Sequence, residues 1–172
     1  KKLTREVSIL LLQQEIPANI NIELLKIANK SGIITIYDPG PPNKYNKYDH
    51  FKFVDFLTPN KHEAEYLLGK KIDGIELEAA KELKEIGAKH VIITLGSEGL
   101  VYSGDFDKIF KPIQVNSIDP VGSGDCFNGA LASMINKGEN IINSITFAQK
   151  AASLSTTRKG ASQSFPYLNE IK

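Results

Sequence analysis

An α/β fold, a mainly parallel sheet with helices on both faces, is predicted by three features of this sequence. Short, almost wholly apolar runs alternate with segments of helical periodicity. Glycines stand where those helices should stop, and proline- or glycine-containing turns follow the strand-like runs.

The first run, Val7-Ser8-Ile9-Leu10-Leu11-Leu12, is too short for a helix and is followed by polar residues and Pro17, so it reads as a buried strand. Ile20, Leu24, Leu25, Ile27 and Ala28 then recur at helical spacing. Ser31-Gly32 stops that helix before the β-branched run at 33–36. The segment from Pro39 to Tyr45 cannot be regular, because proline lacks an amide donor and restricts the residue before it. A strand is expected at 54–57, a helix from about Asn60, a second helix over 77–86 stopped by Gly87, and a strand at 90–94. Residues 99–103 and 109–115, separated by Gly104-Asp105-Phe106-Asp107, read as an antiparallel pair. Two long helices end the chain, at 123–137 before Gly138 and at 141–156, the latter with Ile141, Ile145, Ala148, Ala152 and Ser155 on one face.

The 172 residues fit one domain of ordinary size, and a hydrophobic content of 41% suffices for a packed core. Charges nearly cancel at +1, and no basic block marks a nucleic-acid surface, so small-molecule partners are expected. The apolar stretch around Ile9 to Leu12 is far too short to span a bilayer, and no charged-then-apolar leader is expected before it. The single cysteine, Cys126, rules out an intramolecular disulfide and agrees with a cytoplasmic location. The chain opens Lys1-Lys2-Leu3 and meets an apolar run almost at once, as a sequence starting inside a domain would.

The segment Asp119-Pro120-Val121-Gly122-Ser123-Gly124-Asp125-Cys126-Phe127-Asn128-Gly129 carries the most chemistry. Gly122 and Gly124 let backbone amides converge, and the helix that follows presents N–H groups and a partial positive charge to an anion. Asp125, at the same terminus, is placed to accept a proton from an attacking hydroxyl. Spacing alone is equally compatible with a glycine turn that merely precedes a helix. Cys126 is expected to pack as a small side chain, and His50, His62 and His90 have no ligand spacing.

This segment resembles the signature of ribokinase-like sugar kinases, the phosphofructokinase B group. Three further motifs support the resemblance. Leu57-Thr58-Pro59-Asn60-Lys61-His62-Glu63 is similar to the family's Asn-x-x-Glu element, Ile92-Ile93-Thr94-Leu95-Gly96-Ser97-Glu98-Gly99 to its nucleotide-binding turn, and Thr157-Arg158-Lys159-Gly160-Ala161 to its C-terminal loop. The resemblance implies a ribokinase-like fold lacking its N-terminal lobe and lid, spanned here by one nucleotide-binding and catalytic part over residues 1–172. It also implies ATP as co-substrate and a small sugar as acceptor, with ribose ahead of other sugars or nucleosides. Asp125 becomes the base, and Gly122, Ser123 and Gly124 the anion hole. Asn60, Thr94, Gly96, Ser97, Gly99, Gly124 and Gln149 fall at the nucleotide, and Glu15, after Gln13-Gln14, at the sugar.

Magnesium is implied at Glu63 through water, although Asn60 and Glu63 also have the spacing of a helix capping box. Potassium is implied at Asp119, Val121, Ser155, Arg158, Gly160 and Ser164, in several cases through backbone carbonyls. Asp38 falls near the metal and phosphates, or simply opens a turn. Neither a nucleic-acid nor a membrane partner is expected, and the full-length protein is compatible with a homodimer. Two departures stand out: Asp38-Pro39-Gly40 replaces the more usual Asn-Pro-Ala, and Gly122-Ser123 the common Ala-Ala or Gly-Ala. A non-catalytic nucleotide-binding module is the competing reading, against which Gly122, Gly124 and Asp125 are all retained. A dinucleotide-binding oxidoreductase is excluded, because Gln13-Gln14-Glu15-Ile16-Pro17 supplies no glycine-rich turn after the first strand.

Overall fold

The computed structural model describes residues 7–41 and 48–171. Residues 1–6, with the Lys1-Lys2-Leu3 opening, and positions 42–47, with the later part of the proline-rich loop, lie outside the described residues. The chain forms two compact units, Lys1–Phe110 and Lys111–Lys172.

The first unit contains β1 (Ile9–Gln13), α1 (Ala18–Ser31), β2 (Ile34–Asp38), β3 (Phe56–Leu57), α2 (Lys61–Leu68), α3 (Glu76–Ile86), β4 (His90–Thr94), β5 (Leu100–Ser103) and β6 (Asp107–Phe110). Its six strands lie in the order β1-β2-β3-β4-β5-β6. The first four are parallel and the last two antiparallel, so the sheet is mixed, as the alternation of patterns predicts. The central residues of β2 and β4, and all of β5, are buried without alternation, which is the signature of a sheet covered on both faces. Leu25, Tyr37, Phe51, Leu57, Ile72, Leu83 and Ile93 are fully buried in its core.

Local chemistry explains the boundaries. The Gly32 and Gly69 N–H groups cap α1 and α2 from left-handed conformations, at φ of 68° and 66°, which glycine adopts without strain. Asn60 caps α2 by accepting the Glu63 N–H at 3.0 Å, while Glu63 Oε2 accepts the Asn60 N–H at 2.7 Å.

Two expectations are corrected. The last strand runs over Asp107–Phe110 and not 109–115. Ser103 Oγ donates to Asp107 at 2.8 Å, drawing Asp107 into register opposite Ser103, and Pro112, lacking an N–H, stands just beyond the end. The strand expected at 54–57 is confined to Phe56–Leu57, because a 3₁₀ turn at Tyr48–Phe53 precedes it and Val54 N–H closes that turn on Phe51 O at 2.8 Å.

The second unit holds α4 (Ser123–Asn136) and α5 (Ile141–Ser155), followed by 3₁₀ turns at Ser162–Ser164 and Leu168–Glu170. The two helices pack together, and Leu131, Ile145, Ala148 and Ala151 are buried. Asn140 caps α5 by accepting the Asn143 N–H at 2.9 Å.

At the start of β4, His90 stacks on Phe56 with ring centroids 4.5 Å apart, and its Nδ1 lies 2.9 Å from the Tyr102 hydroxyl. Burial pushes this imidazole below its ordinary value of 6.5, against the opposing pull of Asp105 and Asp55. The folded protein therefore favours neutral His90 more than the unfolded chain does. Its contribution to stability is present above pH 6.5 and is lost as pH falls through the folded value. Urea midpoints at pH 7.5 and about pH 5 should show a larger acid loss for the wild type than for His90→Phe. Equal losses would show that His90 is not the sensitive group.

Candidate active site

Parallel pairing brings the ends of β1, β2, β3 and β4 to one edge of the sheet. Gln13 pairs with Asp38, Tyr37 with Leu57, and an isolated parallel bridge sets Asn60 beside Thr94. The Thr94 N–H donates to Pro59 O at 3.0 Å. Asn60, Glu63 and Thr94 thus share one edge. The turn after β4 closes on itself: Leu95 N–H reaches Gly99 O at 2.9 Å, and Gly96 and Gly99 both have positive φ, 58° and 99°. Gly96 and Ser97 are exposed at its tip, and Gly99 is buried.

Glu63 is the electrostatic focus of this edge. Burial pushes its carboxyl up, the Asn60 donors oppose that, and the charge of Glu15 adds to the rise. Glu15 itself is exposed just beyond β1, so the sheet brings the two acids within electrostatic reach of each other. Asp38, ending β2, accepts the Gly40 N–H at 3.0 Å, and Gly40 O accepts the Gln14 N–H at 2.9 Å. The strap at 38–40 therefore ties the end of β1 to the end of β2.

Beneath this edge lies a polar group that the sequence pattern did not signal. Tyr37 donates to Gln14, and Asn21 Nδ2 donates to Gln13 O at 2.7 Å. All three side chains, Gln14, Asn21 and Tyr37, are buried, and burial drives the Tyr37 hydroxyl well above its ordinary range. Asn21 occupies a core-facing position of α1, where an amide among leucines was the available clue. Lys61, also unremarked in the sequence, lies 2.6 Å from Asp73 and 4.0 Å from both Glu76 and Glu98. It links the start of α2 to the turn that carries Gly96 and Ser97.

In the second unit, Gly122 stands at the N-cap of α4 with φ 77°, and Ser123, Gly124 and Asp125 form the first turn. Ser123 N–H donates back to Pro120 O at 3.1 Å, and Cys126 N–H makes the first helical bond to Gly122 O at 2.9 Å. Gly124 and Asp125 are exposed. The Cys126 thiol is buried and pushed up by that burial, as a packing residue would be.

The residues expected around potassium fall on two stitched segments, one before α4 and one from the end of α5 onward. Asp119 accepts the Val121 N–H at 3.1 Å and, across 41 positions, the Gly160 N–H at 2.9 Å. These bonds, Gly160 first, hold its carboxyl below the usual range. Thr156 O accepts the N–H groups of both Ile118 and Asp119, at 2.7 and 3.0 Å. Ser155 and Ser164 are buried, with hydroxyls donating to Ala152 O and Ala161 O at 2.8 and 2.7 Å. The Arg158 guanidinium is paired with Glu170. Gln149 Nε2 donates to Lys111 O at 2.9 Å, an anchoring bond for α5. Among the described residues no group of three or more His, Cys, Asp or Glu side chains could hold a metal, and no helix is long and apolar enough to cross a membrane.

The two glycines of the turn differ physically. A Cβ on Gly122 would combine positive φ with 3.1 Å approaches to Ala161, whereas one on Gly124 would meet open space inside a helix. Gly122→Ala should therefore destabilise the protein by about 1–3 kcal/mol, and Gly124→Ala should stabilise it by about 0.5–1 kcal/mol. Thermal unfolding of both variants measures this, and equal losses would contradict it.

The sequence from residue 4 to 168 matches the model of the pfkB family carbohydrate kinases. It is 32% identical over 169 residues to the ribokinase of Lactococcus lactis and 35% identical over 170 residues to that of Bacillus subtilis, covering 98% and 97% of this chain but 54% and 55% of those proteins. The chain thus spans about half the length of the curated relatives it matches. Among solved structures it is similar to ribokinase of Thermotoga maritima, with a TM-score of 0.87 and 36% identity over 98% of this chain and 57% of that one. It is similar also to Arabidopsis thaliana ribokinase in complex with ribose and ATP, with a TM-score of 0.89 and 30% identity over 99% and 56%. Family match, sequence identity and shared fold agree, and the chain belongs to the pfkB family of carbohydrate kinases.

Proposed function

We propose that this chain is the nucleotide-binding and catalytic part of an ATP-dependent kinase that phosphorylates the primary hydroxyl of a sugar, converting D-ribose to ribose 5-phosphate. The observation that carries the reading is Asp125 in the first turn of α4, directly after the Gly122-Ser123-Gly124 turn. A helix leaves its first N–H groups without intrahelical acceptors and adds a partial positive charge there. An anionic phosphoryl group is stabilised at such a terminus.

Asp125 accepts the proton of the sugar hydroxyl as that oxygen bonds to the γ-phosphorus. The bond from phosphorus to the β–γ bridging oxygen breaks, and ADP leaves. The Gly122–Asp125 amides hold the negative charge on the transferring group, and Thr94, Gly96, Ser97 and Gly99 receive the nucleotide. Gln149 stands near the adenine, and Glu15 orients the ribose. The Glu63 carboxylate, with Asn60 beside it, fits magnesium held through water: one carboxylate and an amide suit a cation that keeps most of its waters. Bound there, magnesium would neutralise phosphate charge. Ribose is favoured over other sugars or nucleosides by Gln13-Gln14-Glu15 and Thr157-Arg158-Lys159-Gly160, and by relatives that are ribokinases.

In the full-length protein, Asp125→Asn should retain ATP binding while turnover falls by about 10²–10⁴-fold. Turnover within a few-fold of wild type would remove Asp125 from the role of base. The 172 residues alone, given ATP, magnesium and ribose, should form no ribose 5-phosphate, whereas a protein restoring an upstream lobe should. Transfer depends on an acceptor held in line and shielded from water. Sugar phosphate made by the purified chain would overturn this.

The loops stitched by Asp119 and Gly160 support a monovalent cation held by backbone carbonyls near Asp119, Val121, Ser155, Arg158, Gly160 and Ser164. The ion would order the glycine turn without touching substrate. Turnover of the full-length protein should rise when potassium replaces tetramethylammonium at equal ionic strength. Equal rates in both salts would exclude the site.

A further inference from the structure

We propose that Gly40 is a positioning residue for Glu63, because the Glu63 carboxylate occupies the space that any side chain at position 40 would fill. A Cβ built on Gly40 would overlap Glu63 Oε1, and would stand 2.9 Å from Glu63 Cδ and 3.2 Å from Asp38 Oδ1. The backbone does not require glycine here. Gly40 is absent from the positive-φ glycines, so an alanine could adopt its conformation. What excludes the methyl group is the neighbouring carboxylate.

Both sides of this contact are tied to the fold, Gly40 through its backbone and Glu63 through its other carboxylate oxygen. Gly40 is held by its N–H on Asp38 Oδ1 at 3.0 Å and by its carbonyl on the Gln14 N–H at 2.9 Å. Glu63 is held by Oε2 on the Asn60 N–H at 2.7 Å, and its own N–H is bound to Asn60 Oδ1 at 3.0 Å. A methyl group at position 40 must therefore move the flexible partner, the carboxylate, and in doing so break its bond to Asn60. Asp38-Pro39-Gly40 and Glu63 thus form one fitted unit in this chain. The inference deepens the functional reading and rests on it in one respect, that Glu63 serves the phosphate side of the site.

The test compares the 172-residue chain with Gly40→Ala, Glu63→Ala and the double variant. The Asn60 amide is followed by NMR shift and hydrogen exchange. Gly40→Ala should accelerate exchange at Asn60 by about tenfold, the scale of one lost charge-assisted bond, and should move its proton shift toward that of Glu63→Ala. Adding Gly40→Ala to Glu63→Ala should change neither. A wild-type Asn60 signal in Gly40→Ala, or an equal effect in both backgrounds, overturns the proposal. Should Gly40→Ala fail to fold, the double variant must fold, and its failure counts equally against the idea. In the full-length protein, Gly40→Ala should raise KM for magnesium–ATP and leave KM for the sugar unchanged. An altered Asn60 signal with both constants unchanged would sink the assignment of Glu63 to the phosphates while leaving the Gly40 contact standing.

Discussion

Strands that run the same way end together, and the first unit is organised by that constraint. Each parallel ladder, from β1 to β4, transfers the end of one strand to the level of the next, so Glu15, Asp38, Asn60 and Thr94 emerge from the sheet at one edge. Backbone groups beyond the last ladder bond need new partners, and this edge supplies them locally: Gln14 on Gly40, Thr94 on Pro59, Leu95 on Gly99. The antiparallel strands show the alternative. The turn between β4 and β5 lies at the same edge as the parallel ends, whereas the turn between β5 and β6 falls at the other, beside His90 and Tyr102. The glycine turn at 96–99 and the stacked His90 ring are thereby separated along a single strand, Thr94 at one end of β4 and His90 at the other.

The same edge concentrates like charge, which it must stabilise. Glu63 is partly buried close to Glu15, and both circumstances favour its protonated form. Asn60 opposes them by donating its backbone N–H, while the capping box fixes the start of α2. One carboxylate oxygen is engaged in the cap and the other lies against Gly40. Under the proposed function, a helix cap and a phosphate-side acid would be two uses of one side chain. They would be compatible because the cap occupies a single oxygen and a water-mediated cation asks little of the other.

Strand and helix order was legible because each signal is local: apolar runs of strand length, and glycines at Gly32 and Gly87 where helices stop. The family was legible for a related reason, since its motifs are short and contiguous. The expected strand at 109–115 misplaced its register because Ser103 and Asp107 pair through a side-chain bond that no hydrophobic pattern encodes. The buried Tyr37, Gln14 and Asn21 group was missed because its members lie on β2, in the turn after β1 and on α1. Asp119 was singled out for a potassium site by the resemblance, whereas its bond to Gly160 spans 41 positions, a distance at which spacing carries no information. The roles of Asp125, Gln149 and Glu15 toward ligands come from the resemblance, and the geometry adds only where each side chain stands.

Three glycines mark what a sequence can and cannot disclose about a residue without a side chain. Gly122 answers to its own backbone, for a φ of 77° excludes most other residues whatever surrounds them. Gly40 answers to a neighbour, its backbone being ordinary and its missing Cβ making room for the Glu63 carboxylate. Gly124 answers to neither, since it sits in regular helix with open space around it, where alanine would serve the fold better. A residue that the fold does not ask for, at a helix terminus suited to an anion and next to an exposed acid, is best accounted for by something outside the fold. Close approach of a phosphoryl group to the backbone is the demand that the proposed function would place on this glycine.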